Sequence, residues 1–167
     1  VLAALATCLG LLLAVTAVLD AWRYLIPNWL VALYLLLYVP LPFLQPVDWA
    51  MALLIGMITL FAGFGLFAMR IIGGGDAKLL AVAALWAGPP AILHLLLLSG
   101  LFGGALAIVL LVLRLVLGTV PIGGLPRLLL WKEPIPYGVA IAAALGYLLY
   151  MQRLPGFMFG AHLQAPF

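Results

Sequence analysis

The sequence predicts an all-α polytopic membrane protein, with six transmembrane helices joined by short loops in a single domain over residues 1–167. Three observations predict it. Hydrophobic residues make up 69% of the chain. Seven basic and four acidic residues amount to only 7% charge, against roughly 25% in an ordinary soluble domain, too little to coat a surface facing water. The apolar residues also fall in runs close to the roughly 20 residues needed to cross a bilayer. Six such runs leave room for loops and little else, so neither a soluble catalytic domain nor a nucleotide-binding fold is expected. A net charge of +3 does not point to nucleic acid as a partner.

Each element can be justified in order. Span one covers about 2–19 and ends at Asp20-Ala21-Trp22-Arg23. Its run is too long, and too uncharged at its start, for a typical secretory signal, so it is read as a retained span. Cys8 within it reads as a small buried hydrophobe. As the lone cysteine it allows no intrachain disulfide and no cysteine-rich zinc module. Span two runs from about Asn28 to Val39. Ile26-Pro27-Asn28-Trp29 reads as a proline turn followed by an asparagine cap, and Pro40-Leu41-Pro42 as the stop. Trp22 and Trp29 are expected as interface anchors.

Span three covers about 49–69 and stops at Arg70. Span four covers about 77–98, and Gly88-Pro89-Pro90 should bend or break it. Span five covers about 101–118, followed by a loop holding Arg127, Lys132 and Glu133. Span six covers about 137–152, and the tail from Pro155 reads as irregular. Backbone amides in hydrocarbon must be satisfied within the protein, which makes these runs helices. Their length and unbroken apolarity argue against a barrel.

Charge placement sets an expected orientation. Arg23, Arg70, Lys78, Arg114, Arg127 and Lys132 fall in or beside the 1–2, 3–4 and 5–6 connections, and only Arg153 falls on the other side. The positive-inside rule places those connections in the cytoplasm and both termini outside.

The acidic residues then separate. Asp48 lies on the outer side and Glu133 in the last cytoplasmic loop. Asp20 closes span one and Asp76 opens span four, at one depth on the cytoplasmic side. A carboxylate at such a boundary is costly and marks a functional candidate. Two that approach closely share a proton, which is the arrangement with which aspartic proteases activate water and polarise a carbonyl. Plainer roles stay open from position alone: Asp76 as a helix cap, Asp20 as a polar stop beside Arg23. Gly73, Gly74 and Gly75 directly precede Asp76. Such a run suits a sharp turn, a hinge, or the close approach of a substrate backbone. Lys78 is two residues from Asp76 and so on another helix face, better placed to reach headgroups than to pair with it.

Other chemistries lack parts. His94, 18 residues beyond Asp76, would lie about 27 Å away along a straight helix, and His162 sits in the tail. With no HExxH pattern and no cysteine cluster, no metal site is expected. Ser99, the only serine, is placed toward the outer side with no histidine or acid to serve it.

Three stretches carry a resemblance: Asp20-Ala21-Trp22-Arg23 with Ile26-Pro27-Asn28; Gly73-Gly74-Gly75-Asp76-Ala77-Lys78-Leu79-Leu80; and Pro136-Tyr137-Gly138-Val139-Ala140-Ile141-Ala142. Together they resemble the type IV prepilin leader peptidases, membrane aspartic proteases, in the short form found in tight-adherence (Flp) pilus systems. The resemblance implies that Asp20 and Asp76 are the catalytic pair. It makes Gly73, Gly74, Gly75, Lys78 and Asn28 supporting residues. It also implies cleavage without a metal or other cofactor. The implied substrate is a prepilin, an apolar helix behind a short basic leader, cut after a glycine at the cytoplasmic face of the inner membrane. Longer relatives carry a cytoplasmic zinc-binding cysteine domain and also methylate the new N-terminus. No such insertion lies between spans one and two here, so peptidase activity without methyltransferase activity is expected. An archaeal-type preflagellin peptidase, a small carboxylate-dependent transporter and a non-enzymatic assembly subunit are the competing readings. The sequence sets no oligomeric state.

Overall fold

The computed structural model describes residues 1–117 and 134–157. Within them the chain is helical, with no strand: α1 (Leu2–Arg23), α2 (Asn28–Tyr38), a short α3 (Leu41–Leu44), α4 (Trp49–Ala68), α5 (Gly74–Leu117, interrupted at Gly88) and α6 (Tyr137–Tyr150). Arg127, Lys132, Glu133 and His162 lie outside the described residues.

Three helices are long and apolar enough to cross a membrane: Leu2–Arg23, Trp49–Ala68 and Gly74–Val116. The segments Asn28–Leu44 and Tyr137–Tyr150 are apolar but shorter. The expected helix boundaries agree closely for α4 and α6. α1 runs a turn further than expected because Asp20 faces inward, where it is 4% exposed, and the helix ends only when Tyr24 takes a left-handed conformation (φ 51°). Asp48 caps α4, its Oδ1 accepting the Met51 amide at 3.1 Å.

The main departure from the expected spans lies in α5. The expected gap near residues 99–100 is ordinary helix, and the break falls at Gly88 (φ 56°, ψ −170°), directly before Pro89-Pro90. The chain doubles back there. Asp76 shares a cavity with Tyr137, and the Tyr137 ring lies against Gly103. A helix running straight from 76 to 103 would be about 40 Å long. Its two ends meet one tyrosine only if the arms 74–87 and 89–117 run antiparallel. Single Ser and Gly residues are tolerated in helices packed in lipid, whereas Gly-Pro-Pro combines a Gly-only backbone conformation with two missing amide donors.

Two placements change with that reversal. His94 is not about 27 Å along the axis from Asp76 but about 9 Å, and it points outward as an exposed side chain. Ser99 is not at the outer end: it is buried (4% exposed) near the depth of Asp76, and its hydroxyl has no partner among the described residues. Cys8, expected to be buried, is exposed on a face of α1 with Leu11, Leu12 and Val15. That face is apolar and turned toward the lipid rather than toward the core.

The core lies between α1, α2, α5 and α6. Leu9, Leu13, Leu30, Leu95, Ile141 and Leu145 fill it. Thr16, Tyr34 and Trp86 are matched within it: Thr16 Oγ1 and Tyr34 Oη are 2.8 Å apart, and Trp86 Nε1 donates to the Tyr34 carbonyl at 3.3 Å. α4 packs on the first arm of α5 through small residues. A Cβ on Gly63 would stand 3.0 Å from Ala77 Cβ, and one on Gly56 3.3 Å from the Ala81 carbonyl oxygen. Such contact between backbones is how helices associate where lipid removes the hydrophobic drive.

Candidate active site

The α1–α2 turn, the start of α5 and the start of α6 meet at one end of the bundle, and between them lies a cavity of roughly 920 Å³. Asp20, Asn28, Gly73, Gly74, Gly75, Asp76 and Lys78, all singled out from the sequence, line it. Leu25, Ile26, Pro134, Ile135 and Tyr137 complete much of the wall.

Asp20 reaches the site from the last turn of α1. That is a poor place for a negative charge with respect to its own helix, whose C-terminus is the negative end of the dipole. A second helix offsets this. Pro136 is the capping residue of α6, and Asp20 Oδ2 accepts the first-turn amide of Val139 at 3.2 Å, an amide that also reaches the Pro136 carbonyl at 3.3 Å. Asp20 thus shares a donor at the positive end of α6. Arg23, the alternative partner, is exposed while Asp20 is buried; Asp20 is therefore not a surface stop paired with it.

Asp76 enters from the first turn of α5. Gly73 is the residue before the helix, and its carbonyl accepts the Ala77 amide at 3.1 Å. Asp76 is thus the third helical residue rather than the cap itself, and its carboxylate reaches back to the Gly73 amide, as the acid of a capping box does. It also lies in the field of Asp20.

The glycines before Asp76 serve close approach rather than a turn. None of the three has a positive φ. A Cβ on Gly73 would lie 2.9 Å from Asp76 Oδ2, one on Gly74 3.3 Å from the Phe67 ring, and one on Gly75 3.3 Å from Ile26 Cβ. A substituent on the first would press on the carboxylate. On the other two it would push the helix start away from its neighbours.

Asn28 does not cap α2, because the capping position is Pro27 and no side chain caps it. Its Oδ1 instead accepts a 2.9 Å hydrogen bond from Lys78 Nζ. Lys78 thereby ties the start of α2 to the start of α5.

Sequence reasoning placed Gly138 and Val139 in the third family-like stretch but gave them no role at the site. The arrangement provides two carboxylates at the positive ends of two helices, beside a cavity large enough for an extended peptide segment. No curated protein and no solved structure matches the chain. The Type IV leader peptidase family profile matches residues 7–108, more than half of its length and inclusive of both aspartates. The chain belongs to the type IV leader peptidase family.

Proposed function

We propose that the protein is an aspartic endopeptidase that removes the cytoplasmic leader of Flp-type prepilins, with Asp20 and Asp76 as its catalytic pair. The observation that carries this reading is the meeting of two carboxylates from different helices at one cavity, Asp20 from the last turn of α1 and Asp76 from the first turn of α5. Such a pair holds a single proton readily. The ionised carboxylate takes a proton from water as its oxygen attacks the scissile carbonyl carbon. The protonated one donates to the carbonyl oxygen, and collapse of the tetrahedral intermediate breaks the C–N bond as the amine nitrogen is protonated.

The surroundings support the substrate class. The site end of the bundle also carries Arg23, Arg70 and Lys78, and the opposite end has Asp48 beside Pro89 and Pro155. By the positive-inside rule the cavity then opens to the cytoplasm and the start of α1 faces outward, in a six-span arrangement in the inner membrane. An apolar pilin helix would remain in the bilayer while its leader lies in the cavity. The α1–α2 connection consists of residues 24–27 and holds no cysteine, which supports peptidase activity without methyl transfer by a zinc-bearing insertion at that point.

The test is incubation of the purified protein with an Flp-type prepilin and, in parallel, an archaeal preflagellin, with the cut position read by mass spectrometry. Cleavage of the prepilin after a glycine before its apolar helix is expected. Asp20→Asn and Asp76→Asn should each lower the rate by about 10³-fold or more while leaving membrane insertion intact. Processing at the parental rate by either variant overturns the assignment.

A further inference from the structure

We infer that Gly138 is a positioning residue for the reaction: its missing side chain lets the Asp20 carboxylate close on the start of α6, where the Val139 amide holds it. This rests on the reading of Asp20 and Asp76 as the catalytic pair and adds a third helix to it, from a part of the chain beyond the matched residues 7–108.

Two independent features converge on this position. The first is donation. The Val139 amide is 3.2 Å from Asp20 Oδ2. α1 and α5 each deliver one carboxylate to the cavity, and the start of α6 holds the first of them. The second is space. A Cβ on residue 138 would stand 2.8 Å from Asp20 Oδ2, 2.9 Å from Asp20 Cγ and 2.8 Å from Ile26 Cδ1. The residue is buried and has no positive φ, so backbone conformation does not require glycine there. What requires it is the approach of a carboxylate to a helix start. The aligned first-turn amides favour the anionic pair without reorganising as the reaction proceeds.

Amide donors favour the ionised carboxylate. Displacing Asp20 changes both this donation and its repulsion with Asp76, so the bell of rate against pH should move. A loss of packing alone would lower the amount of active enzyme and leave the bell in place.

The experiment compares the parent, Gly138→Ala, Ile26→Val and the double variant as purified full-length proteins, with kcat and KM for prepilin cleavage measured across pH. Gly138→Ala should lower kcat by at least tenfold, change KM by less than threefold and shift the pH profile. Ile26→Val removes the methyl that a new Cβ would meet but leaves the carboxylate clash, so the double variant should stay impaired and shifted. Recovery of the parental rate by Ile26→Val, or an unshifted profile in Gly138→Ala, overturns the inference. Val139→Pro, which deletes one donor in a helical turn that accepts proline, supplies the same readout if Gly138→Ala does not fold. An unshifted profile there also overturns it. Failure of the underlying reading is separate: it would appear as cleavage by Asp20→Asn or Asp76→Asn, whatever Gly138→Ala does.

Discussion

The two ends of this bundle use glycine for opposite reasons. At the cavity end, Gly73, Gly74, Gly75 and Gly138 have ordinary backbone angles and crowded surroundings; what they provide is space next to carboxylates, a phenyl ring and an isoleucine. At the far end, Gly88 and Gly156 have positive φ, 56° and 81°, where the chain reverses and where the segment after α6 closes against α3 at Leu41. One set leaves room for groups at the proposed site and the other lets the backbone turn. The same substitution, Gly to Ala, should therefore injure activity at one end and stability at the other.

That contrast can be broken experimentally. Gly73→Ala places a methyl 2.9 Å from Asp76 Oδ2. It is expected to cost about 10- to 100-fold in kcat, the scale of a misplacement of about 1 Å, with the thermal midpoint nearly unchanged. An enzyme that cleaves normally with Ala at 73 would remove close approach as the reason for that glycine. Gly88→Ala should do the converse. Its φ 56°, ψ −170° lies in a region open almost only to glycine, so the loss should be about 1–3 kcal/mol of stability, read by thermal unfolding in detergent, with kcat per folded molecule retained. A large drop in kcat at full stability would mean that the far turn communicates with the site. The smallest effect belongs to the Lys78–Asn28 bond, which is exposed. Lys78→Met should cost about 1 kcal/mol or less and change cleavage a few-fold, chiefly through KM; loss of all cleavage would place Lys78 in the chemistry itself.

Much of this was legible in the sequence, for reasons tied to particular residues. In so apolar a chain a carboxylate is conspicuous, so Asp20 and Asp76 could be picked out before any contact between them was known, and Asp48 could be set apart by the side on which it falls. α4 and α6 were legible because strong punctuation bounds their runs, Arg70 after α4 and Pro136 before α6. The division of α5 was not. Hydropathy is continuous from Leu79 to Leu117, and two glycine-bearing sites competed for the turn. Only the proline pair after Gly88, with its lost donors, separates the right one from Ser99-Gly100. Gly138 and Val139 were illegible as site residues because backbone amides carry no side-chain signature. The role of Asn28 was misjudged because an asparagine after a proline is an ordinary cap, and its actual partner lies 50 residues away.

The reversal at Gly88 also has a consequence for how the protein is made. Residues 74–87 form a helix of about 21 Å, short of the roughly 30 Å of a bilayer's hydrocarbon. That arm is poorly suited to entering a membrane alone as it emerges from the ribosome. Joined to residues 89–117 it can enter as half of a hairpin, drawn in by its longer partner. Asp20 is therefore seated early in synthesis and Asp76 only after the chain has grown well past it. The amides at 138 and 139 arrive last of all, so the site is completed only once nearly the whole of the described chain is in place.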